Sequence, residues 1–272
     1  MNYTLNTLKY ITKNFLYVIL FATIPAVFFA FAINEEATRS VLSNLLSGNP
    51  RDEFWNIFHT VSIFNFSSKK EVFFGITGII VLILCMAMLT AFLEKHMRIG
   101  KRTLNGLLSK VNDNIISTAG LVFLFLLIYE VWALVLSALW YFVTGIPSTI
   151  IAYILLAFVY LAMTFVLLYA LSVFYLWMPC VQITGFTAFD ALTYSYHLLA
   201  PIQFKLVLGQ CGFLLFCEAL IGATVFLLQG ELAGLVVATV LYTAMILIYS
   251  IRMLVVYFDR AQLDRADLKR YY

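Results

Sequence analysis

The chain has 272 residues, of which 63% are hydrophobic and 11% charged, with a formal net charge of +3 and a mean hydropathy of +0.97. Soluble domains are near half apolar and a quarter charged, so a single soluble core is excluded and a polytopic membrane protein is expected. The cations are scattered and match no binding motif, so they carry no nucleic-acid signal; membrane lipids are the expected partners.

Six apolar runs, at about 15–33, 72–92, 116–143, 149–175, 202–228 and 232–257, approach or exceed the roughly 20 residues that cross a bilayer. They are far longer than a barrel strand of about ten residues, and a lipid-embedded segment must satisfy its own backbone, so each is a helix. The expected fold class is all-α, one membrane domain over 1–272.

The first run is preceded by Thr4-Leu5-Asn6-Thr7-Leu8, which opens a short amphipathic segment through Ile11. Lys13, the apolar stretch and Ala30-Phe31-Ala32 have the outline of a signal peptide with its cleavage site, but removing this run leaves an odd span count. A retained span is expected. The outer connection at 34–71 holds two amphipathic faces. Val41, Leu42, Leu45 and Leu46 end at Gly48; Phe54, Trp55, Phe58 and Val61 follow Asn49-Pro50. Two short helices lying on the outer surface are expected, anchored by aromatics. They either plug the outer end of the bundle or form a lid or docking surface, and a protein partner would then meet Phe54, Trp55 and Phe58.

The second run carries Gly75 and Gly78, and ends in the anchor Glu94-Lys95-His96-Met97-Arg98. Thr103-Leu104-Asn105-Gly106-Leu107 then repeats the TLNxL string and opens a second amphipathic segment through Val111, before the third run with Glu130 inside it. After the fourth run, Thr187 and Asp190 resemble a capping box and Pro201 stops the helix they start. Phe189, Leu192, Tyr196 and Leu199, spaced 3, 4 and 3 apart, form one face of that helix, which is expected in the cytoplasmic interface. The fifth run holds Lys205, Gly209, Gln210, Gly212 and Glu218. Gly230, Gly234 and Ala238 in the sixth stand at intervals of four, a spacing that lets helices approach closely, within the monomer or at a dimer interface. The chain therefore reads as three repeats of amphipathic helix plus two-span hairpin: 1–95, 96–180 and 181–272.

Six spans put both termini on one face. That face carries Lys9, Lys13, Lys95, Arg98, Lys101, Arg102, Lys110, Lys205, Arg252, Arg260, Arg265, Lys269 and Arg270; the other has Arg39, Arg51, Lys69 and Lys70. By the positive-inside rule, both termini are expected to be cytoplasmic, in the cell membrane.

Glu130 and Glu218 are the candidates for chemistry, with Gln210 earlier on the span of Glu218. An ionised carboxylate at mid-bilayer costs at least ~3 kcal/mol, so such groups face the bundle interior and take partners. They lie 26 residues after Leu104 and 29 after Phe189, at similar places in repeats two and three, so one polar centre could contain both. Two readings stay open: hydrogen-bonded structural groups, or a proton or substrate site. Cys85, Cys180, Cys211 and Cys217 have no CxxC spacing, and His59, His96 and His197 no HExxH spacing. No catalytic motif is found, and no metal or cofactor is expected.

A span ending in Phe174-Tyr175-Leu176-Trp177-Met178-Pro179, then a short amphipathic helix with Ala191-Leu192 and Ser195, then a new span, resembles bacterial six-span families: the membrane domain of glycerophosphodiester phosphodiesterases, the YciC-like proteins and the YesL-like proteins. Val255-Val256-Tyr257-Phe258-Asp259-Arg260 is similar to the "YFDxR" that follows the last span of that membrane domain, with one residue fewer. The resemblance covers mainly the C-terminal 100 residues, and the long outer connection departs from it. It implies a lipid-related or transporter-associated role; no soluble phosphodiesterase domain is present to carry catalysis. A noncatalytic membrane protein handling a lipid or amphiphile, or acting in an envelope transport system, is expected. The second reading is a scaffold or assembly subunit that docks a partner through 34–71.

Overall fold

The computed structural model describes residues 3–64, 67–102, 104–227 and 231–268. Among these, every regular element is helical, and six helices are long and apolar enough to cross a membrane. The protein is a six-span, all-α integral membrane protein. Thr103, Gly230, Lys269 and Arg270 lie outside the described residues.

The first span, α1 (Tyr3–Phe31), is broken at Asn14, where φ is −120° and ψ is 18°. The cause is local: the Asn14 amide donates to the Tyr10 carbonyl four residues back at 3.0 Å, competing with the helix's own ladder. The amphipathic segment before the first span is thus set off by a kink. The one before the third is not, because α5 (Leu107–Thr144) runs from Leu107 into the membrane without a break. The second span is α4 (Lys69–Ile99), capped by Ser68 and ended by Gly100 in the left-handed region.

The fourth span, α6 (Thr149–Val173), stops two residues earlier than expected, and the chain resumes as α7 (Trp177–Thr184). Pro179 has no N–H to give to Tyr175 and its ring would crowd that carbonyl, so one straight helix cannot pass through both; in the first turn of α7 the proline is tolerated. Next, α8 (Ala188–Leu199) begins with a reciprocal cap: the Asp190 N–H reaches Thr187 Oγ1 at 3.4 Å, and the Thr187 hydroxyl donates to Asp190 Oδ2 at 2.6 Å. α9 (Gln203–Leu227) and α10 (Glu231–Arg260) complete the spans.

Each span packs on its neighbours in sequence order, and α1 closes against α10, which makes a ring. A contact between α4 and α10 crosses it and divides it in two. On one side, α1, α4 and α10 form a tight trio. On the other, α4, α5, α6, α9 and α10 surround a looser interior. The main core lies toward the basic face, built from Phe92, Leu93 and Met97 of α4, Leu176 and Met178 at α7, and Leu254 to Phe258 of α10. There Glu94 is buried and accepts from Arg98 at 2.9 Å and Lys110 at 2.7 Å, tying α4 to the start of α5.

The connection 34–71 folds as α2 (Glu35–Leu46) and α3 (Phe54–Val61). Two of its cations engage the carbonyl ends of spans: Arg39 donates to Val225 O at 3.1 Å, and Arg51 to Thr144 O at 3.0 Å and Gly145 O at 3.3 Å. The last carbonyls of a helix lack intrahelical partners and carry partial negative charge, so these arginines have a structural use on the face where cations are few.

Gly78 marks the closest approach of α1 and α4: a Cβ there would sit 3.2 Å from Phe28 Cβ and 3.3 Å from the Phe29 ring. Gly120, exposed on α5, has open space around it. Gly78→Ala is expected to lower stability by about 1–3 kcal/mol through overpacking, whereas Gly120→Ala is expected to raise it by about 0.5–1 kcal/mol. Thermal melts of the two variants in detergent, monitored by helical circular dichroism, separate these outcomes.

Candidate functional site

Helix α3 does not lie flat on the surface. It buries Ile57 and Phe58; Phe58 enters a cluster with Trp132 and Leu136 of α5 and Leu167 of α6, and Phe54 packs on the edge of the same cluster. The chain beyond it, Ser62 to Phe64, enters between α1, α4 and α5, where Ile63 and Phe64 pack with Phe29, Ile79, Ile83 and Leu126. Gly75 marks where it meets α4: a Cβ there would be in ordinary contact with the Ile63 carbonyl at 3.5 Å, six residues or about 9 Å along from the start of α4. The segment is therefore irregular backbone packed against three spans.

Glu130 is what satisfies that backbone. Its Oε1 accepts the N–H groups of Ile63 at 2.9 Å and Phe64 at 3.1 Å, and its Oε2 accepts the Ser62 hydroxyl at 2.6 Å. The neighbouring Tyr129 hydroxyl donates to Val61 O at 2.7 Å. Two adjacent residues of α5 thus fix four consecutive residues at the end of α3.

Glu218 stands differently. It is half-buried on α9, and among the described residues its one hydrogen bond comes from the Tyr160 hydroxyl of α6, to Oε2. Tyr129 of α5 lies within electrostatic reach of both glutamates and of Tyr160 and Tyr242, while Cys211 lies within reach of Glu218. Tyr129, Tyr160 and Tyr242 are each half-buried too. One carboxylate and three phenols, contributed by α5, α6, α9 and α10, thus stand near one another on the looser side of the ring. Helix α7 packs on both α5 and α10, and α2 and α3 pack on α9 and α5.

Tyr129, Tyr160 and Tyr242 went unmarked in the sequence because sixteen tyrosines leave none conspicuous. Gln210 is half-buried, makes no hydrogen bond among the described residues, and is eight residues, about 12 Å, from Glu218 along α9. It does not join the site. Of the candidate docking residues, Trp55 is 62% exposed while Phe58 is 9% exposed, so the aromatic face divides between surface and core. On α8, Phe189 is 84% exposed and Tyr196 projects outward, Leu192 is half-buried, and Leu199 turns into the core with Ala191 and Ser195. Gly234 faces Glu35 of α2, with 3.9 Å from its Cβ position to the carboxylate, and Ala238 is buried; Gly230 lies outside the described residues.

Comparison with family models, with curated proteins and with solved structures finds no match. The division of labour between the two glutamates is testable without any relative. Glu130→Ala leaves three donors without acceptors in apolar surroundings, at about 1–3 kcal/mol each. It is expected to destabilise the protein by at least about 2 kcal/mol and to open residues 54–64 to hydrogen exchange. Glu218→Gln keeps a carbonyl for Tyr160 and is expected to shift stability by less than about 1 kcal/mol. Exchange mass spectrometry with melts in detergent reads both, and equal effects of the two substitutions would remove the distinction.

Proposed function

We propose that this protein is a noncatalytic integral membrane protein in which a crevice between α5, α6, α9 and α10 takes a lipid or another amphiphile, with Glu218 as its polar contact. The observation that carries this reading is the Glu218 carboxylate, set inside the spans with one tyrosine donor and a half-buried surface toward other phenols. Keeping such a group in the membrane is unfavourable unless something is bound by it. Tyrosines suit an amphiphile, since each gives an apolar ring and a polar tip. The donor Glu218 lacks is supplied in this reading by a ligand hydroxyl or amine.

The charge pattern places both termini in the cytoplasm in this reading, so the α2–α3 side of the crevice faces outward. The three-repeat organisation and the resemblance to the glycerophosphodiester phosphodiesterase membrane domain and the YciC-like and YesL-like families are part of the proposal. They support a lipid-related role. The scaffold reading keeps one specific observation in its favour: Leu46 of α2 and Trp55 of α3 are both exposed, on two helices that pack on each other, where a partner could cover them.

Purification of the full chain from its membrane in mild detergent, followed by mass spectrometry of what stays bound, separates these readings. One amphiphile at fixed stoichiometry, reduced about tenfold or more in Glu218→Gln and Tyr160→Phe, is the expected result. The same compound retained equally by both variants would overturn the site. A stable protein partner with only bulk lipid, lost on deleting residues 49–66, would establish the scaffold instead.

A further inference from the structure

Arg252 lies inside the sixth span, five residues before the end of its apolar run at Tyr257, yet it is only 7% exposed. Its Nε is buried without a hydrogen-bond partner, and none of the ion pairs among the described residues includes it. A guanidinium stays charged in proteins and carries five donors, so leaving it unpaired in apolar surroundings is strongly unfavourable. An acceptor belongs there.

Among the described residues no carboxylate is paired with Arg252. Asp259 is seven residues further along α10, about 10 Å, and takes the Tyr3 hydroxyl at 2.6 Å. Glu94 is held by Arg98 and Lys110, Asp267 by Arg265, and Asp190 by Thr187. Glu218 is nine residues from Gly209 on α9, about 14 Å away, and is engaged by Tyr160. Tyr175 comes within electrostatic reach of Arg252 but donates to the Tyr249 carbonyl at 3.4 Å and, among the described residues, takes no hydrogen bond from the guanidinium; the Tyr249 hydroxyl is buried without a partner among them.

The guanidinium is seated on Gly209 of α9, whose Cβ position would be 3.4 Å from one terminal nitrogen and 3.8 Å from the other. Any larger residue would cover it. Lys205, four residues earlier and so on the same face of α9, is exposed and adds a second positive charge toward the basic end. In the opposite direction Gly212 has open space where a side chain would be, and Leu208 and Phe216 stand exposed on the same helix. A cationic seat therefore continues into a shallow apolar groove running up the span.

We propose that Arg252 and Lys205 bind the phosphate of an anionic phospholipid, with an acyl chain lying in the groove over Gly209 and Gly212. Basic pockets between spans are suited to anionic headgroups, and the apolar continuation favours a lipid over a free phosphate. This site is separate from the Glu218 crevice and does not rest on its reading.

Native mass spectrometry of the full chain, titrated with phosphatidylglycerol, phosphatidylcholine or inorganic phosphate, tests it. One phosphatidylglycerol per chain is expected, held about tenfold more tightly than phosphatidylcholine, and weakened about tenfold in Arg252→Gln and in Gly209→Leu. Arg252→Gln removes an uncompensated charge and should not harm folding; Gly209→Leu keeps the charge but covers it. Displacement of the lipid by millimolar phosphate would show that the seat takes the anion itself, and resistance to it that the lipid is required. Unchanged phosphatidylglycerol retention in both variants, or no preference over phosphatidylcholine, would overturn the site. Loss in these variants with Glu218→Gln unaffected would separate it from the crevice.

Discussion

Three hydrogen bonds to one carboxylate hold the side of the bundle opposite the basic face together. In hydrocarbon a backbone N–H without a partner costs several kcal/mol, which is why spanning segments are regular. Ser62 to Phe64 is irregular backbone packed against three spans, and Glu130 takes two of its N–H groups and a hydroxyl. With that segment in place, α3 can seat Phe58 against α5 and α6, and Asn34 and Ser67, hydrogen-bonded at 2.6 Å, bring the two ends of the connection together.

Polar residues elsewhere in the spans do comparable work on a smaller scale. Gln203 donates to Ser172 at 2.8 Å, Gln182 to Ser117 and Thr118 at 3.1 Å, and the Trp132 indole to the Met163 carbonyl at 2.7 Å, each joining two helices. Lipid tails are as apolar as leucine, so such bonds and close steric fit replace the hydrophobic effect as the means of association. Glu218 and Arg252 stand apart from this pattern, because the protein supplies each with less than it can bind. A group whose hydrogen-bonding capacity exceeds its surroundings is where a ligand has something to add.

Much of the architecture was legible because it follows from length and local pattern. The six spans, the two helices of the outer connection and the Thr187–Asp190 cap all depend on residues within a few positions of one another. What escaped depends on pairs distant in the chain. Glu130 and Glu218 are indistinguishable as sequence, and what separates them is the turn 68 residues upstream of one and the tyrosine 58 residues upstream of the other. An aromatic amphipathic face such as Phe54, Trp55 and Phe58 suits a water–lipid interface and a cleft between helices equally, so pattern alone cannot tell floating from insertion. Arg252 was counted with the cations of the basic face because it is near the end of its run, and only the position of Gly209 shows that its side chain turns inward. Helix α8 illustrates a subtler limit: its lipid-facing and protein-facing stripes are both apolar, and Leu199 fell on the inner one.

The closure of the ring by α1 and α10 constrains how the protein is made. Helix α1 buries Val18, Ala22 and Ala26 and packs on both α4 and α10, and α10 is encoded more than two hundred residues later. At about 5–20 residues per second, α1 waits roughly 10–40 s in the bilayer before α10 is synthesised. During that interval its small-residue face and Asn14 are turned toward lipid or toward the insertion machinery. The spans therefore enter the membrane one after another, and the first, which can meet α4 early, completes its packing only when the sixth has arrived. A chain interrupted anywhere before α10 leaves one side of its oldest helix uncovered.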